Sequence, residues 1–314
     1  MSLLTEKYGK AVKGLGGLYN IRIVENGTVS YVSCKAKGSL HRDEEKLLIG
    51  DNVKITVDED TPDGIVISEI LPRKNSLIRP PLANLDYIFV AFASAKPTPV
   101  TETVDKLISI AEYNGIVPVI IITKSDIDEE YADELAGIYR DAGFDTFITS
   151  AKTGEGIEGI RAYIDENVRD GKTAAFAGAS GVGKSTLMNA LFPTLTLATA
   201  EISRKIERGR HTTRHVELYP LSGDLNPGFL ADTPGFSLID FSRFDFFALE
   251  DLESTFREFA KFVGKCQYAD CAHVGEGAKE CAIMQAVENG EISESRVNSY
   301  REIYKTLKSK KTYD

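Results

Sequence analysis

The spacing of apolar and polar residues changes along the chain, and its first part has the pattern of short β-strands. Apolar positions alternate in short runs, and the first two runs flank Asn26-Gly27, a strong signal for a two-residue hairpin turn. The predicted strands span residues 18–24, 28–34, 52–57 and 64–71. Short strands joined by glycine turns predict a small β-barrel of the OB-fold type in residues 1–73. Such barrels often present a strand face to RNA, and simple packing against a neighbouring domain is the alternative role.

From residue 86 onward, continuous apolar runs alternate with runs of helical spacing. The predicted strands span residues 87–93, 116–122, 144–149, 173–177, 216–219 and 228–231, and the predicted helices span residues 100–113, 131–142 and 157–168. Near-continuous apolar strands separated by helices indicate a parallel sheet that is covered on both faces. The pattern therefore predicts an α/β domain, which we delimit as residues 74–240.

The last part of the chain, residues 241–314, is predicted to be helical. Apolar and acidic residues follow helical spacing in residues 244–263, and a second helical pattern spans residues 282–311. The fold class expected for the whole chain is thus multidomain α/β, with a barrel, a sheet domain and a helical domain in that order.

The charge of the chain gives no simple indication of its partners. Its 37 basic and 47 acidic residues leave a formal net charge of −10, so bulk electrostatics would not draw it to nucleic acid. Basic residues are nevertheless concentrated, with five against two acidic ones in residues 201–215 and six against one in residues 296–311. Such clusters are either solvated faces or nucleic-acid contacts. The absence of a membrane-length apolar run and of a signal-peptide layout leads us to expect a cytoplasmic protein with no membrane partner.

A glycine-rich turn follows the strand predicted at residues 173–177 and leads into a helix. This is the order of a phosphate-binding P-loop, in which glycines bring backbone N–H groups close to a polyphosphate. Lys184 would reach the outer phosphates and Ser185 would ligate Mg²⁺. A turn that only caps an ordinary helix is the alternative interpretation. The loop consists of Gly178, Ala179, Ser180, Gly181, Val182, Gly183, Lys184, Ser185 and Thr186.

Two other strand ends carry residues that suit recognition of a guanine base. Thr123, Lys124 and Asp126 follow one strand, and an aspartate there can accept hydrogen bonds from the N1–H group and the exocyclic amine of guanine. Ser150, Ala151 and Lys152 follow the next strand, where a backbone amide can donate to the guanine O6 atom. Each segment alone is a common helix entrance or turn. Their occurrence on adjacent strand ends, in a chain with a P-loop, predicts binding of GTP or GDP.

Two further segments would complete a nucleotide site. Asp232 to Gly235 follows a strand, so the aspartate can hold Mg²⁺ through water and the glycine amide can meet the γ-phosphate. Residues 195–215 form a long polar stretch without periodicity, which is typical of a functional or mobile loop. A plain turn is the alternative for the first segment.

Three of the four cysteines lie close together near the end of the chain. Cys266, Cys271, His273 and Cys281 offer three thiolates and one imidazole, a donor set that suits tetrahedral Zn²⁺ in a closed structural site. Reduced core cysteines beside a surface histidine are the alternative. Cys34 and His41 are isolated in the sequence, and we interpret them as structural residues.

The nucleotide segments resemble the five motifs of Ras-like GTPases, but in a permuted order, since the base-reading segments precede the phosphate-reading ones. With the barrel and the zinc module in the same chain, the arrangement resembles the ribosome small-subunit-dependent GTPase A family (RsgA/YjeQ type) over essentially its full length. Also similar are the segments Leu71-Pro-Arg-Lys-Asn-Ser76 and Gly209-Arg-His-Thr-Thr213.

The resemblance implies a cytoplasmic, monomeric enzyme that binds a late precursor of the small ribosomal subunit and its rRNA, hydrolyses GTP to GDP and then leaves. It further implies that Lys184 and the loop amides hold phosphate, that Ser185 and Thr213 ligate Mg²⁺ with Asp232 behind them, and that Asp126 reads guanine. Thr212 is the less favoured choice for the second Mg²⁺ ligand. Zn²⁺ would be held by the three cysteines and His273.

Two residues depart from the Ras-like pattern. Thr123 stands where asparagine is common, and its hydroxyl can replace only part of the hydrogen bonding of a carboxamide. Phe236 stands where Ras-like enzymes place the glutamine that orients the attacking water. His211 is the expected replacement, and a phosphate or rRNA contact is its alternative role. For the whole chain, the alternatives are an RNA-binding assembly factor switched by GTP without significant turnover, and a GTPase of large-subunit assembly.

Overall fold

The computed structural model describes residues 4–37, 46–58, 64–193, 216–232, 241 and 243–310. The chain divides into two compact units, each built from separate stretches of sequence. Unit 1 combines Met1–Tyr87, Tyr163–Phe176 and Thr194–Gly235, and unit 2 combines Ile88–Ala162, Ala177–Pro193 and Phe236–Asp314. Among the described residues, none of the helices has the length and apolar character needed to span a membrane.

Five strands of unit 1 pair in a closed ring. They are β1 (Leu4–Leu15), β2 (Leu18–Glu25), β3 (Thr28–Ala36), β4 (Asn52–Asp58) and β5 (Ile65–Ile70). The ladders run β1–β2, β2–β3, β3–β5 and β5–β4, and β4 pairs back onto β1. Apolar side chains from these strands, Cys34 among them, form one buried cluster. The strands predicted at residues 18–71 are therefore confirmed, and the OB-fold identity of this segment stays a prediction.

Strand β1 has no counterpart in the prediction. Its register against β2 shifts between Ala11 and Lys13, so a bulge interrupts the strand. Ala11 and Val12 are consequently both buried, although neighbouring residues of a regular strand point to opposite faces. The alternation that identifies a strand in sequence is lost at that point.

The remaining strands of unit 1 are a short hairpin, β6 (Ser76–Leu77) with β7 (Leu82–Ala83), and three strands of the α/β pattern. Of these, β11 (Thr173–Ala177) runs parallel to β13 (Phe229–Asp232), whereas β12 (Glu217–Pro220) is antiparallel to β13. The expectation of a purely parallel sheet is thus wrong at β12. The connection from β12 to β13 is short, and parallel neighbours require a crossover of a dozen residues or more.

Unit 2 contains strands and helices that alternate as predicted. The elements are β8 (Tyr87–Ala93), α1 (Thr101–Tyr113), β9 (Val117–Thr123), α2 (Glu129–Asp141), β10 (Thr146–Ile148), α3 (Ile157–Asn167) and, after the glycine-rich turn, α4 (Lys184–Leu191). Strand β9 lies between β8 and β10 and is parallel to β10. The carboxyl ends of β9 and β10 therefore lie side by side, at the edge where α/β proteins bind their ligands.

The C-terminal part of unit 2 is less regular than its sequence pattern indicates. Residues 244–263 contain three short 3-10 segments, Leu249–Asp251, Glu253–Thr255 and Arg257–Lys261, instead of the expected helix. The backbone of Phe256 is not helical (φ −108°, ψ 86°), and its ring packs edge-to-face against Tyr300. Tertiary packing of the phenylalanines thus overrides the helical spacing. The second pattern is broken at Gly290 (φ 73°) into α5 (Ala282–Glu288) and α6 (Glu294–Ser309).

A buried ionic cluster attaches α6 to α1. The guanidinium of Arg296, which is 1% exposed, donates to Asp105 on α1 and to Glu258 at 2.7 Å. The hydroxyl of Tyr139 on α2 donates to the same carboxylate of Asp105 at 3.2 Å. The cation also lies over the ring of Phe256, 4.6 Å from its centroid. One side chain therefore joins the C-terminal helix to two helices of the α/β pattern.

This arrangement changes the interpretation of the basic cluster at residues 296–311. Arg296 belongs to the core, Arg301 donates to the carbonyl of His273, and Lys305 pairs with Glu302. Lys310 donates to Asp245 and to the carbonyl of Phe244. Arg296 therefore belongs to the core, whereas Lys305 and Lys308 are exposed, so nucleic-acid contact by this cluster stays a prediction.

Candidate nucleotide site and metal centre

The glycine-rich turn of residues 178–183 has the backbone geometry that only glycine adopts without strain. Gly178 has φ 136°, and a Cβ atom there would lie 1.9 Å from the carbonyl oxygen of Ala91. Gly183 has φ 99° and is the N-cap of α4. A side chain at Gly178 would push the turn away from β8, so the sequence requires glycine for this close approach. The turn and the first residues of α4 form a cradle of backbone N–H groups suited to phosphate.

Lys184 points back into this turn. Its ammonium donates to the carbonyl oxygens of Gly178 and Ala179, at 2.7 Å each. Burial lowers the pKa of Lys184 from its ordinary value, since the site offers the cation little water. Ser185 and Thr186, at the start of α4, are exposed. Lys184, Ser185 and Thr186 thus occupy the first turn of α4, directly after the glycine-rich turn.

The two predicted base-reading segments meet in unit 2. The hydroxyl of Ser150 donates to Asp126 at 2.7 Å, and the ammonium of Lys152 lies 3.2 Å from the other oxygen of that carboxylate. The hydrogen bond from Ser150 is the main reason why the pKa of Asp126 is lowered from its usual value. Asp126 therefore stays ionised and can accept hydrogen bonds from a ligand.

The first base-reading segment also contacts the phosphate turn. The buried hydroxyl of Thr123 lies within bonding distance of the carbonyls of Phe92 and Val182, and it donates its one hydrogen to the nearer, Val182. Lys124 has φ 61°, and its ammonium donates to the carbonyl of Gly181 at 2.8 Å. Thr123 thus supplies a link between the two loops although it lacks a carboxamide.

These segments enclose a cavity of about 210 Å³. Apolar side chains and the Asp126 carboxylate both contribute to its walls. It is lined by Thr123, Lys124, Asp126, Ile127, Thr149, Ala151, Lys152, Gly183, Thr186 and Leu187. The structure therefore brings most of the predicted base-binding residues together with the end of the phosphate turn.

Not every predicted site residue can be placed. Asp232 ends strand β13, at the carboxyl edge of the sheet of unit 1. Gly235, His211 and Thr213 lie outside the described residues, as do Thr212 and His41. Their roles stay predictions.

The predicted metal ligands converge in unit 2. The ligand atoms of Cys266, Cys271, His273 and Cys281 all lie within 4.8 Å of one another. The Nδ1 atom of His273 is 3.6, 3.4 and 3.3 Å from the three sulfur atoms. These distances match the edge of a tetrahedron with metal–ligand bonds of about 2.0–2.3 Å, which gives a nitrogen–sulfur separation near ~3.5 Å. The residues present can thus hold one tetrahedral metal ion.

A carboxylate outside this cluster fixes the histidine. Glu253 lies 2.9 Å from the Nε2 atom of His273 and accepts its hydrogen when Nδ1 faces the metal. Burial raises the pKa of the Cys271 thiol to about 12, since desolvation disfavours the thiolate. A bound divalent metal supplies positive charge that stabilises the thiolate. Glu253 was not foreseen from the sequence, since it lies twenty residues before the histidine it orients.

A P-loop whose base-reading loops precede it in the chain defines a circularly permuted P-loop GTPase, a GTP-hydrolysing enzyme. Two family models match the chain, the RsgA N-terminal domain over residues 8–66 and the RsgA GTPase over residues 70–242. The chain belongs to the RsgA GTPase family.

Similar proteins agree with this assignment over nearly the whole length. The small ribosomal subunit biogenesis GTPase RsgA of Agathobacter rectalis is 38% identical, with 97% of this chain and 99% of the relative covered. That of Bacillus subtilis is 36% identical, with 96% and 98% covered. The crystal structure of YjeQ from Thermotoga maritima matches with a TM-score of 0.78 and 32% identity, covering 98% of this chain and all of that one. YloQ, a circularly permuted GTPase, matches with a TM-score of 0.75 and 33% identity, covering 98% and 96%.

Proposed function

We propose that this protein hydrolyses GTP during late maturation of the small ribosomal subunit, binding the subunit and its rRNA with GTP and leaving after hydrolysis. The observation that carries the proposal is the cavity beside Asp126, where both base-reading loops meet the phosphate turn. An ionised aspartate at a cavity edge favours guanine, which has two N–H donors, over adenine, which has none at N1. The names of the relatives supply the ribosomal process.

The site residues have the following proposed roles. The backbone amides of residues 178–183 and Lys184 hold the phosphates, and Asp126 with the Ala151 amide reads the base. Ser185 and Thr213 hold Mg²⁺ directly, and Asp232 binds the ion through water. The ion neutralises charge on the phosphates. The metal of the cysteine–histidine centre is Zn²⁺, since three thiolates and one imidazole in a closed site suit it. The proposed domains are an RNA-binding domain in residues 1–73, the GTPase domain in residues 74–240 and the zinc-binding domain in residues 241–314.

We further propose that the protein acts as a monomer in the cytoplasm, and that its N-terminal strands contact RNA. Binding through dispersed Lys and Arg contacts should weaken steeply as the salt concentration rises.

The test of the function is single-turnover GTP hydrolysis with and without purified small ribosomal subunits. We expect slow turnover alone and marked acceleration by the subunits. The His211→Ala variant should lose the acceleration if His211 orients the attacking water. Equal rates with and without subunits would contradict the catalytic proposal. They would favour the alternative, an RNA-binding assembly factor that is switched by GTP without significant turnover. Co-sedimentation with small or large ribosomal subunits, in the presence of a non-hydrolysable GTP analogue, tests the other alternative. Binding to the large subunit would indicate a GTPase of large-subunit assembly.

The Asp126→Asn variant should bind GTP about a hundredfold more weakly, because a charge-assisted pair of hydrogen bonds is lost. The new amide can donate to the O2 atom of xanthine, so affinity for XTP should rise. Equilibrium binding of the two nucleotides measures both changes. Asp128→Asn is the control, since that nearby side chain caps α2 through the amide of Tyr131, which asparagine does equally well. Unaltered GTP binding by the Asp126 variant would remove this residue from the site.

A further inference from the structure

Recognition of guanine requires a fixed distance between two loops. Asp126, whose side chain is 13% exposed, lies on the loop after β9, and the amide of Ala151 lies on the loop after β10. A purine can satisfy both groups only if their separation is held within about 0.5 Å. The bonds that connect the two loops therefore determine how well the base is read.

Most of the side-chain bonds between the loops use the reading carboxylate itself. Ser150 and Lys152 both bind Asp126, and Lys152 does so with a side chain that is 81% exposed. A carboxylate has about four acceptor positions, so guanine competes with these partners for the same two oxygens. Such bonds are weakened or shared when the base arrives.

One side-chain bond connects the loops without using the reading carboxylate. The hydroxyl of Ser125 donates to the Oε2 atom of Glu155 at 2.9 Å. Ser125 is 1% exposed and directly precedes Asp126, and its backbone N–H donates to the carbonyl of Thr149 at 3.1 Å. Neither atom of this bond belongs to the Asp126 carboxylate, so the bond does not compete with guanine for its oxygens.

Glu155 is held in place by its own loop. Gly154 (φ 85°) and Gly156 (φ 69°) flank it, and a Cβ atom at Gly156 would lie 2.1 Å from the carbonyl oxygen of Ile148. The amide of Ser150 donates to the carbonyl of Glu155 at 3.1 Å and closes the loop. The carboxylate is thus presented from a turn that a side chain at residue 156 would disrupt.

We propose that Glu155 is a positioning residue for guanine recognition, acting through Ser125 to hold Asp126 at the correct distance from the Ala151 amide. The inference rests on the proposed GTP-binding function and names a determinant of its base specificity. ATP held only by the phosphate turn makes no use of this distance. Loss of the link should therefore weaken GTP and leave ATP unchanged.

The experiment measures the dissociation constants of GTP and ATP for the full chain, for four single variants and for one double variant. Glu155→Ala and Ser125→Ala should each bind GTP about two- to tenfold more weakly, the range expected for one hydrogen bond. The affinity for ATP should stay the same, and combining the two substitutions should add nothing further. Glu155→Gln keeps an acceptor oxygen and should retain the affinity for GTP. Glu158→Ala removes a carboxylate that pairs with Arg161 instead, and should have no effect.

The outcomes separate the inference from the function on which it rests. A loss of affinity shared equally by GTP and ATP, or no loss in Glu155→Ala, would overturn the positioning role while the wild type still prefers GTP. A weakened Glu155→Gln variant would show that charge, and not the hydrogen bond, matters, and would also overturn it. A wild-type protein without preference for GTP would instead refute the proposed function.

Discussion

Replacement of Cys281 by serine is expected to abolish stoichiometric zinc binding and to unfold the C-terminal part of unit 2. Cys281 is 1% exposed and lies 3.3 Å from the Nδ1 atom of His273, so its thiolate is an interior ligand that water cannot replace. Structural zinc sites contribute about 10–16 kcal/mol of apparent binding free energy at neutral pH, and this energy is available only to the folded chain. Treatment of the wild type with a strong chelator should have the same effect.

The measurement is metal content by native mass spectrometry, together with the thermal unfolding midpoint. Cys34→Ala is the matched control, because this buried cysteine belongs to the apolar cluster of unit 1 and should leave one zinc ion per chain. A wild-type protein that folds without metal, or a Cys281 variant with full zinc occupancy, would contradict the assignment.

Replacement of Arg296 by methionine should lower the free energy of unfolding by about 3–5 kcal/mol, because it leaves uncompensated carboxylates in the interior. Asp105 has no exposed surface and the Glu258 side chain is 5% exposed. Burial raises the pKa of Asp105 from its usual value, and the neighbouring guanidinium opposes that rise. Without Arg296, the cost of holding the charge is no longer offset.

Urea unfolding followed by circular dichroism provides the measurement. Lys305→Met removes an exposed cation of the same helix that pairs with Glu302, and it should cost less than about 1 kcal/mol. The triple variant Arg296→Met, Asp105→Asn and Glu258→Gln should recover much of the loss, since no isolated charge remains. A single variant as stable as the wild type would show that the cluster contributes nothing net.

Much of the candidate nucleotide site was predictable because its residues lie in short contiguous sequence motifs. The phosphate turn and Asp126 each follow a strand, and Lys184 begins the helix after the turn. A strand of buried residues is recognisable from its apolar run. Parallel strands place their carboxyl ends at one edge, so the convergence of the loops followed from the strand pattern. The four residues that could hold a metal ion were predictable as a group for the same reason, since they lie within sixteen residues.

The contacts that sequence could not predict are those between residues far apart in the chain. Arg296 looked like one member of a basic surface cluster, and only its packing against Asp105, 191 residues earlier, identifies it as a core residue. Glu155 and Ser125 carry no motif of their own, and their bond exists only because β9 and β10 are neighbours. The predictions for strand β1 and for residues 244–263 were incomplete or wrong for a related reason. A bulge interrupts the two-residue alternation of β1, and packing of the phenylalanine rings prevents a regular helix in residues 244–263.

The ionic cluster around Arg296 also limits where the chain can be truncated without losing a stable fold. The GTPase family model ends at residue 242, yet the cation that neutralises Asp105 on α1 is supplied by α6, more than fifty residues later. A fragment that stops at residue 242 would contain all the nucleotide motifs together with an interior carboxylate lacking its counterion. The autonomous folding unit of the enzyme is therefore longer than its catalytic signature.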